Sequence, residues 1–121
     1  LNGRKINVFN HGNLERDFTY VDDIVRGVEL TLFNDSKNND LYKIYNIGNN
    51  NPVKLLDFIK AIEKETGVVP EYEMMSMQPG DVEKTWADTS FINNDYGYQS
   101  KTKIDVGVKN FIDWYKNYYN I

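Results

Sequence analysis

Apolar residues recur at helical spacing in several stretches of this 121-residue chain. Val21, Ile24, Val25, Val28, Leu32 and Phe33 predict a helix over 21–33. Asp22 and Asp23 fall in its first turn, where the helix dipole favours negative charge, and Asn34-Asp35-Ser36 ends it. Leu55, Leu56, Phe58, Ile59 and Ile62 form one face of a second helix, with Gly67 where a left-handed cap residue belongs. Its start is open: Asn51 can cap with Pro52 in the first helical position, or the helix can begin near Lys54 with Asp57 in its first turn. Ile104, Val108, Phe111, Ile112, Tyr115 and Tyr119 predict a helix over 104–119. A shorter one is expected from a cap at Asp88 or Thr89 to Tyr96, before Gly97.

Between these lie β-type runs. Ile6 to Phe9 reads as a short strand ending at the turn Asn10-His11-Gly12-Asn13. Asp17 to Tyr20 reads as a second extended stretch, and Leu41 to Ile47, aromatic and β-branched, as a buried strand stopped by Gly48. Glu71 to Met74 reads as a strand bounded by Pro70. The Asn clusters at 37–40 and 49–51 read as polar loops. The expected order is β, β, α, β, α, β, α, α, a mixed α/β arrangement with short strands.

Composition narrows what such a fold does. The chain is 40% hydrophobic and 26% charged, with nine tyrosines and six phenylalanines, so one domain with a real core is expected. A net charge of −4 argues against general nucleic-acid binding, because like charges repel. No apolar stretch approaches the roughly 20 residues that span a bilayer, so no membrane partner is expected. The absence of cysteine excludes thiolate metal sites and fits a reducing cytoplasm. The opening Leu1-Asn2-Gly3-Arg4-Lys5 reads as a fragment of something longer.

Nucleophilic catalysis has few candidates. The one histidine, His11, sits in a polar turn and reads as a solvated residue. There is no Gly-x-Ser-x-Gly elbow, no His-Glu-x-x-His and no Gly-x-Gly-x-x-Gly loop. Asp22-Asp23 could suggest a divalent metal, but reads more simply as helix N-terminal charge. Two constellations carry more. In Arg16-Asp17-Phe18-Thr19-Tyr20-Val21-Asp22-Asp23, an arginine at a loop–strand junction can set a bidentate charge against a phosphate; the bland reading is a structural Arg–Asp pair. In Met77-Gln78-Pro79-Gly80-Asp81-Val82, followed by Trp86-Ala87-Asp88, Pro-Gly shapes a tight turn, and the carboxylate after it can accept hydrogen bonds from a sugar diol.

In this order and spacing, these motifs resemble the C-terminal region of the extended short-chain dehydrogenase/reductase family, the nucleotide-sugar epimerases and dehydratases. The resemblance runs from Ile6-Asn7-Val8-Phe9-Asn10 through Arg16 to Tyr20, Tyr45-Asn46-Ile47-Gly48 and Pro52 to Ile59, to Met77 to Asp88. Within the family it is strongest to the UDP-glucuronate 4-epimerases, with a sister epimerase, dehydratase or decarboxylase of the same scaffold, or a non-catalytic nucleotide-sugar-binding fragment, as the alternatives. It implies that Val8, Phe9 and Asn10 line a uracil pocket, that Arg16 contacts the UDP pyrophosphate, and that Asp81 binds the ribose hydroxyls. Gln78 stands where UDP-galactose epimerases carry a second phosphate-binding arginine, and matches the Met-Gln-Pro-Gly-Asp form of the glucuronate enzymes.

The same resemblance implies NAD as cofactor of the full-length parent, a UDP-sugar ligand, a homodimer or other homo-oligomer, and a role in acidic polysaccharide synthesis in the bacterial cytoplasm. The Gly-rich turn for NAD and the Tyr-x-x-x-Lys base are not in this chain, so no catalytic or cofactor-binding residue is assigned to it. Residues 1–121 are then expected to form a C-terminal substrate-binding lobe plus elements of an incomplete Rossmann domain. A strand at 41–47 would lack its neighbours, so the chain is expected either to rearrange or to pair with a second copy.

Overall fold

The computed structural model describes residues 4–37 and 40–121. The opening Leu1-Asn2-Gly3 and the centre of the 37–40 Asn cluster lie outside the described residues. The chain divides into two compact units. The first comprises Leu1–Arg16, Val53–Thr85 and Lys103–Ile121, and the second Asp17–Pro52 and Trp86–Thr102.

The first unit is mixed α/β. Strand β1 (Ile6–Val8) pairs in parallel with β4 (Tyr72–Met74), with Val8 opposite Met74. Strand β2 (Glu15–Arg16) pairs antiparallel with β3 (Val53–Lys54), which leads directly into α2 (Leu55–Thr66). The Leu55 N–H donates to Leu14 O at 2.8 Å, continuing that ladder into the first residue of the helix. The helix therefore starts after Lys54, with Asp57 in its first turn, and Pro52 does not open it. It ends at Gly67, whose φ of 71° is the left-handed cap conformation expected there.

Helix α2 packs on α4 (Ile104–Tyr119). The buried residues of α4, Gly107, Val108 and Ile112, recur at near-helical spacing, and Val8 and Leu14 add to the buried apolar set. Phe111, Trp114 and Tyr118 recur on a further stripe of α4, more than half exposed, with the Trp114 and Tyr118 rings stacked at 5.4 Å.

The second unit has no strand among its described residues. It is built from α1 (Val21–Phe33), α3 (Ser90–Tyr96) and the segments that join them. Tyr98 and Ile92 are fully buried. The Tyr98 hydroxyl donates to Gly48 O at 2.9 Å, so this buried ring satisfies its polar end. Gly27 lets α1 approach closely: a Cβ there would lie 2.9 Å from Ile47 Cγ2 and 3.2 Å from Tyr98 Cε2.

The element order matches the expected β, β, α, β, α, β, α, α, but two strands differ. The third is 53–54, not 41–47. Residues 41–47 form no ladder, and Leu41, Tyr42 and Ile44 are exposed, Leu41 completely at 107%. The period-two alternation survives: Lys43, Tyr45 and Ile47 are half-buried, and Tyr42, Ile44 and Asn46 are exposed. A strand needs a partner for its backbone as well as a face for its side chains, and only the second is supplied here.

The stretch 17–20 also forms no ladder; pairing falls at 15–16 instead, because Asp17 and Thr19 turn their side chains to other backbone groups. Ladder pairing in β1 stops at Val8, and Phe9 opens a tight 3-10 turn over Phe9–Gly12. Thr89 caps α3 in position but not through its side chain; the Asp88 carboxylate accepts the Ser90 N–H at 2.9 Å instead.

Candidate functional site

The six residues singled out from the sequence all fall in the first unit. Val8, Phe9 and Asn10 follow one another from the end of β1 into the turn. Val8 is 1% exposed, so its side chain belongs to the core, and its carbonyl accepts the Met75 N–H at 2.9 Å. Phe9 is half-buried. Asn10 and His11 have φ of 49° and 50°, and Gly12 has 80°. Consecutive left-handed residues are costly for non-glycines, least so for Asn, and such strain gathers at functional positions. The turn is held by Asn13 N–H to Asn10 O at 2.8 Å, and by the Asn10 side-chain amide to Asn13 O at 2.8 Å. A Cβ at Gly12 would run into the Leu56 side chain at 2.7 Å.

The segment from Met75 to Thr85 arches from the end of β1 to β2 and is tied down at both ends. Met75 O accepts the His11 N–H at 3.0 Å; at the far end Glu15 N–H donates to Glu83 O at 2.8 Å, and Thr85 N–H donates to Glu15 O at 3.2 Å. The Pro-Gly turn forms as expected: Asp81 N–H donates to Gln78 O at 3.2 Å, and Gly80 has a φ of 82°, which a side chain rarely tolerates. Gln78 is exposed on this turn.

Arg16 and Asp81 meet here. Arg16 Nη2 lies 2.6 Å from Asp81 Oδ1, across 65 residues of sequence. Arg16 Nη1 donates to Glu15 O at 2.9 Å and to Glu83 O at 3.3 Å, which fixes the plane of the guanidinium. Asp81 Oδ1 also accepts the Val82 N–H at 2.8 Å. The two side chains keep 26% and 29% of their surface exposed, so each remains reachable. A planar fork and a carboxylate side by side can take an anion and a pair of hydroxyls. The structure thus pairs Arg16 of β2 with Asp81 of the arch, puts Gln78 at the start of the same turn, and ties the Val8–His11 stretch to the arch's first residue, Met75.

The partner of Arg16 was not evident from sequence. The adjacent Asp17 is the obvious candidate for a structural pair, but it sits in the second unit. There its carboxylate accepts N–H groups of Asn49 at 3.1 Å, Asn50 at 3.0 Å and Ala87 at 3.0 Å. Neighbouring residues of an extended chain point to opposite sides, so Arg16 is free to meet Asp81.

Asp23 is likewise structural. It accepts the Ser100 hydroxyl at 2.9 Å and the N–H groups of Lys101 and Thr102 at 3.0 and 2.9 Å. Burial pushes its carboxyl up, but those hydrogen bonds outweigh it and hold the group below its ordinary range.

Among the described residues, no set fits a dinucleotide cofactor. The glycines are scattered through the sequence, and none follows a strand in a Gly-rich turn that opens a helix. Tyr45 and Lys43 make a tyrosine–lysine pair in space, both within 2.7 Å of Asp95 Oδ2. Burial first, then the bond to Asp95, raises the Tyr45 hydroxyl, which is the wrong direction for a base. A cleft of about 430 Å³ in the first unit, lined by Ile59, Ile62, Phe111, Ile112 and Tyr115 among others, includes none of the six candidate residues.

The family model described as GDP-mannose 4,6 dehydratase matches residues 2–111. The chain belongs to this family. It therefore sits among the nucleotide-sugar epimerases and dehydratases of short-chain dehydrogenase/reductase type, and the resemblance drawn from its motifs is borne out. The chain is 40% identical to Protein CapI of Staphylococcus aureus, with 98% of this chain and 40% of CapI aligned. It is 33% identical to UDP-glucuronate 4-epimerase 4 of Arabidopsis thaliana, over 99% of this chain and 30% of that protein. A solved structure of UDP-glucuronic acid 4-epimerase from Bacillus cereus, in complex with UDP-glucuronic acid and NAD, is similar at 30% identity. Its TM-score is 0.85, covering 97% of this chain and 37% of that one. The chain thus spans well under half the length of these relatives.

Proposed function

We propose that this chain binds the UDP part of a nucleotide sugar within an NAD-dependent UDP-glucuronate 4-epimerase. That enzyme would convert UDP-glucuronate to UDP-galacturonate by oxidation at C4, rotation of the keto intermediate and reduction from the other face, for polysaccharide synthesis in the cytoplasm. Residues 1–121 serve as its C-terminal nucleotide-sugar-binding portion, and a Rossmann domain that this chain does not contain supplies the NAD cradle and the base. On its own the chain is inactive. Arg16 faces the diphosphate, Asp81 the ribose hydroxyls, and Phe9 with the Asn10 turn the base; Val8 contributes through its backbone.

The observation that carries this reading is the convergence of Arg16 and Asp81 at 2.6 Å on a turn that begins at Gln78. A diphosphate and a ribose diol lie close together in a nucleoside diphosphate, and one guanidinium beside one carboxylate answers both. The exposed Gln78, with no added positive charge, supports the glucuronate over the galactose enzymes. Titration calorimetry of the chain with UDP tests the binding. Arg16→Ala should weaken UDP by roughly 10–100-fold, as removal of a charge-assisted bond does. Equal affinity in the variant would remove Arg16 from the site.

A further inference from the structure

The far end of the arch meets β2 through a single parallel bridge, in which Glu15 stands opposite Lys84. Two backbone bonds hold it: Glu15 N–H to Glu83 O at 2.8 Å and Thr85 N–H to Glu15 O at 3.2 Å. The same two carbonyls seat the guanidinium, since Arg16 Nη1 donates to Glu15 O at 2.9 Å and to Glu83 O at 3.3 Å. Asp81, which meets Arg16 Nη2, lies on the same segment, shortly before Lys84. The register of one bridge therefore decides what faces Arg16. A bridge this short has no backbone pattern to specify its register, so side chains must do so. Lys84 Nζ lies 2.8 Å from the Glu15 carboxylate. From Val82 to Thr85 only Lys84 is positive, and its neighbour Glu83 would bring like charge against Glu15 after a slip. Arg16, the next residue of β2, points to the other face, so the ion pair stands behind the guanidinium rather than beside it.

We propose that Lys84 and Glu15 are positioning residues of the candidate site: their ion pair sets the register of the bridge, and through it holds the Glu83 carbonyl and Asp81 against Arg16. The effect on ligand affinity rests on the nucleotide-binding reading above; the register itself does not. Without the pair the bridge opens or slips for part of the time. A nucleotide then binds only the fraction of molecules whose arch is in place, and its apparent affinity falls by that fraction.

Charge removal, reversal and swapping test this in four proteins: the parent, Lys84→Met, Lys84→Glu, and the double variant Glu15→Lys with Lys84→Glu. Two quantities are read: UDP affinity by calorimetry, and hydrogen exchange at the Glu15 and Thr85 amides, the two donors of the bridge. Lys84→Met loses the attraction alone and should weaken UDP by about two- to fivefold; Lys84→Glu adds repulsion and should weaken it by about tenfold. Exchange at the two amides should quicken in step, while the amides of α2 keep their rates. The swapped pair restores opposite charges and should return both readings to within about twofold of the parent. A general loosening of the fold would quicken α2 as well and would not be repaired by the swap. Unchanged amide exchange in Lys84→Glu, or no recovery in the swapped pair, overturns the register role. If exchange responds but UDP affinity does not, the pair does not position the site, and the nucleotide-binding reading stands. If UDP fails to bind the parent, that reading falls, and amide exchange alone decides the register.

Discussion

The two units hold their backbones in different ways. In the first, two short strand ladders join the backbone, and the candidate site sits where those ladders end. The second has no ladder among its described residues. Carboxylates do that work: Asp17 gathers three backbone N–H groups, Asp23 two more and a hydroxyl, and Asp95 joins Lys43 to Tyr45. A ladder is insensitive to pH and tolerant of side-chain change. A carboxylate hub is neither, because one residue serves several donors and loses them all at once when it is protonated or replaced.

The largest effects should come from matched core truncations. Ile92→Ala in the second unit and Ile112→Ala in the first each remove a buried branched side chain, and each should cost about 3 kcal/mol. Hydrogen exchange read residue by residue should show each loss in its own unit; uniform loss everywhere would mean that the two units unfold as one. Gly48→Ala should cost about 2–3 kcal/mol and strike the second unit, because the new Cβ would lie 2.5 Å from Ala87 Cβ and 2.9 Å from Asp17 Oδ2. No glycine of the arch is so confined: nothing lies within 4 Å of a Cβ at Gly80, although its positive φ still strains a side chain.

Asp23→Asn should cost about 1–2 kcal/mol near pH 6 and change how the protein responds to acid. The folded carboxyl is held below 3.8, so the unfolded chain binds the proton first as pH falls. Its contribution is complete above the unfolded value, near 4, and is lost as pH drops through the lower folded value. Thermal melts from pH 6 to pH 2.5 should show the parent losing stability faster than Asp23→Asn over that window. Parallel curves would remove Asp23 as the acid-sensitive hub.

Smallest of all, Leu41→Ser with Ile44→Ser should change unfolding free energy by less than about 0.5 kcal/mol, since both side chains are already exposed. The same pair tests whether a second copy covers this segment. Sedimentation of the parent should then depend on concentration, and the double variant should abolish that dependence. A parent that stays monomeric at all concentrations would overturn the pairing.

The helices were legible because each has one persistent apolar face, and α1 and α4 begin and end at the expected residues. The sequence predicts a strand at 41–47 that the structure lacks, because the alternation is real but no ladder partner is present among the described residues, and alternation reports faces, not neighbours. The short pairing at 53–54 left no signal, since two residues ahead of a helix carry no period. The site residues were named by motif, yet their mutual arrangement was not visible. Nothing local says that Arg16 turns to Asp81, or that Asp17 leaves it to gather the backbone of another loop.

Nucleotide binding at the arch is tested most directly by a two-dimensional amide NMR titration of the chain with UDP. Saturable shifts are expected at Phe9, Asn10, the Arg16 side chain and Gln78 to Val82, with Asp23, Tyr45 and Tyr98 of the carboxylate-held unit unmoved. Saturable shifts centred on those second-unit residues, or no saturable shift at the arch, would contradict it.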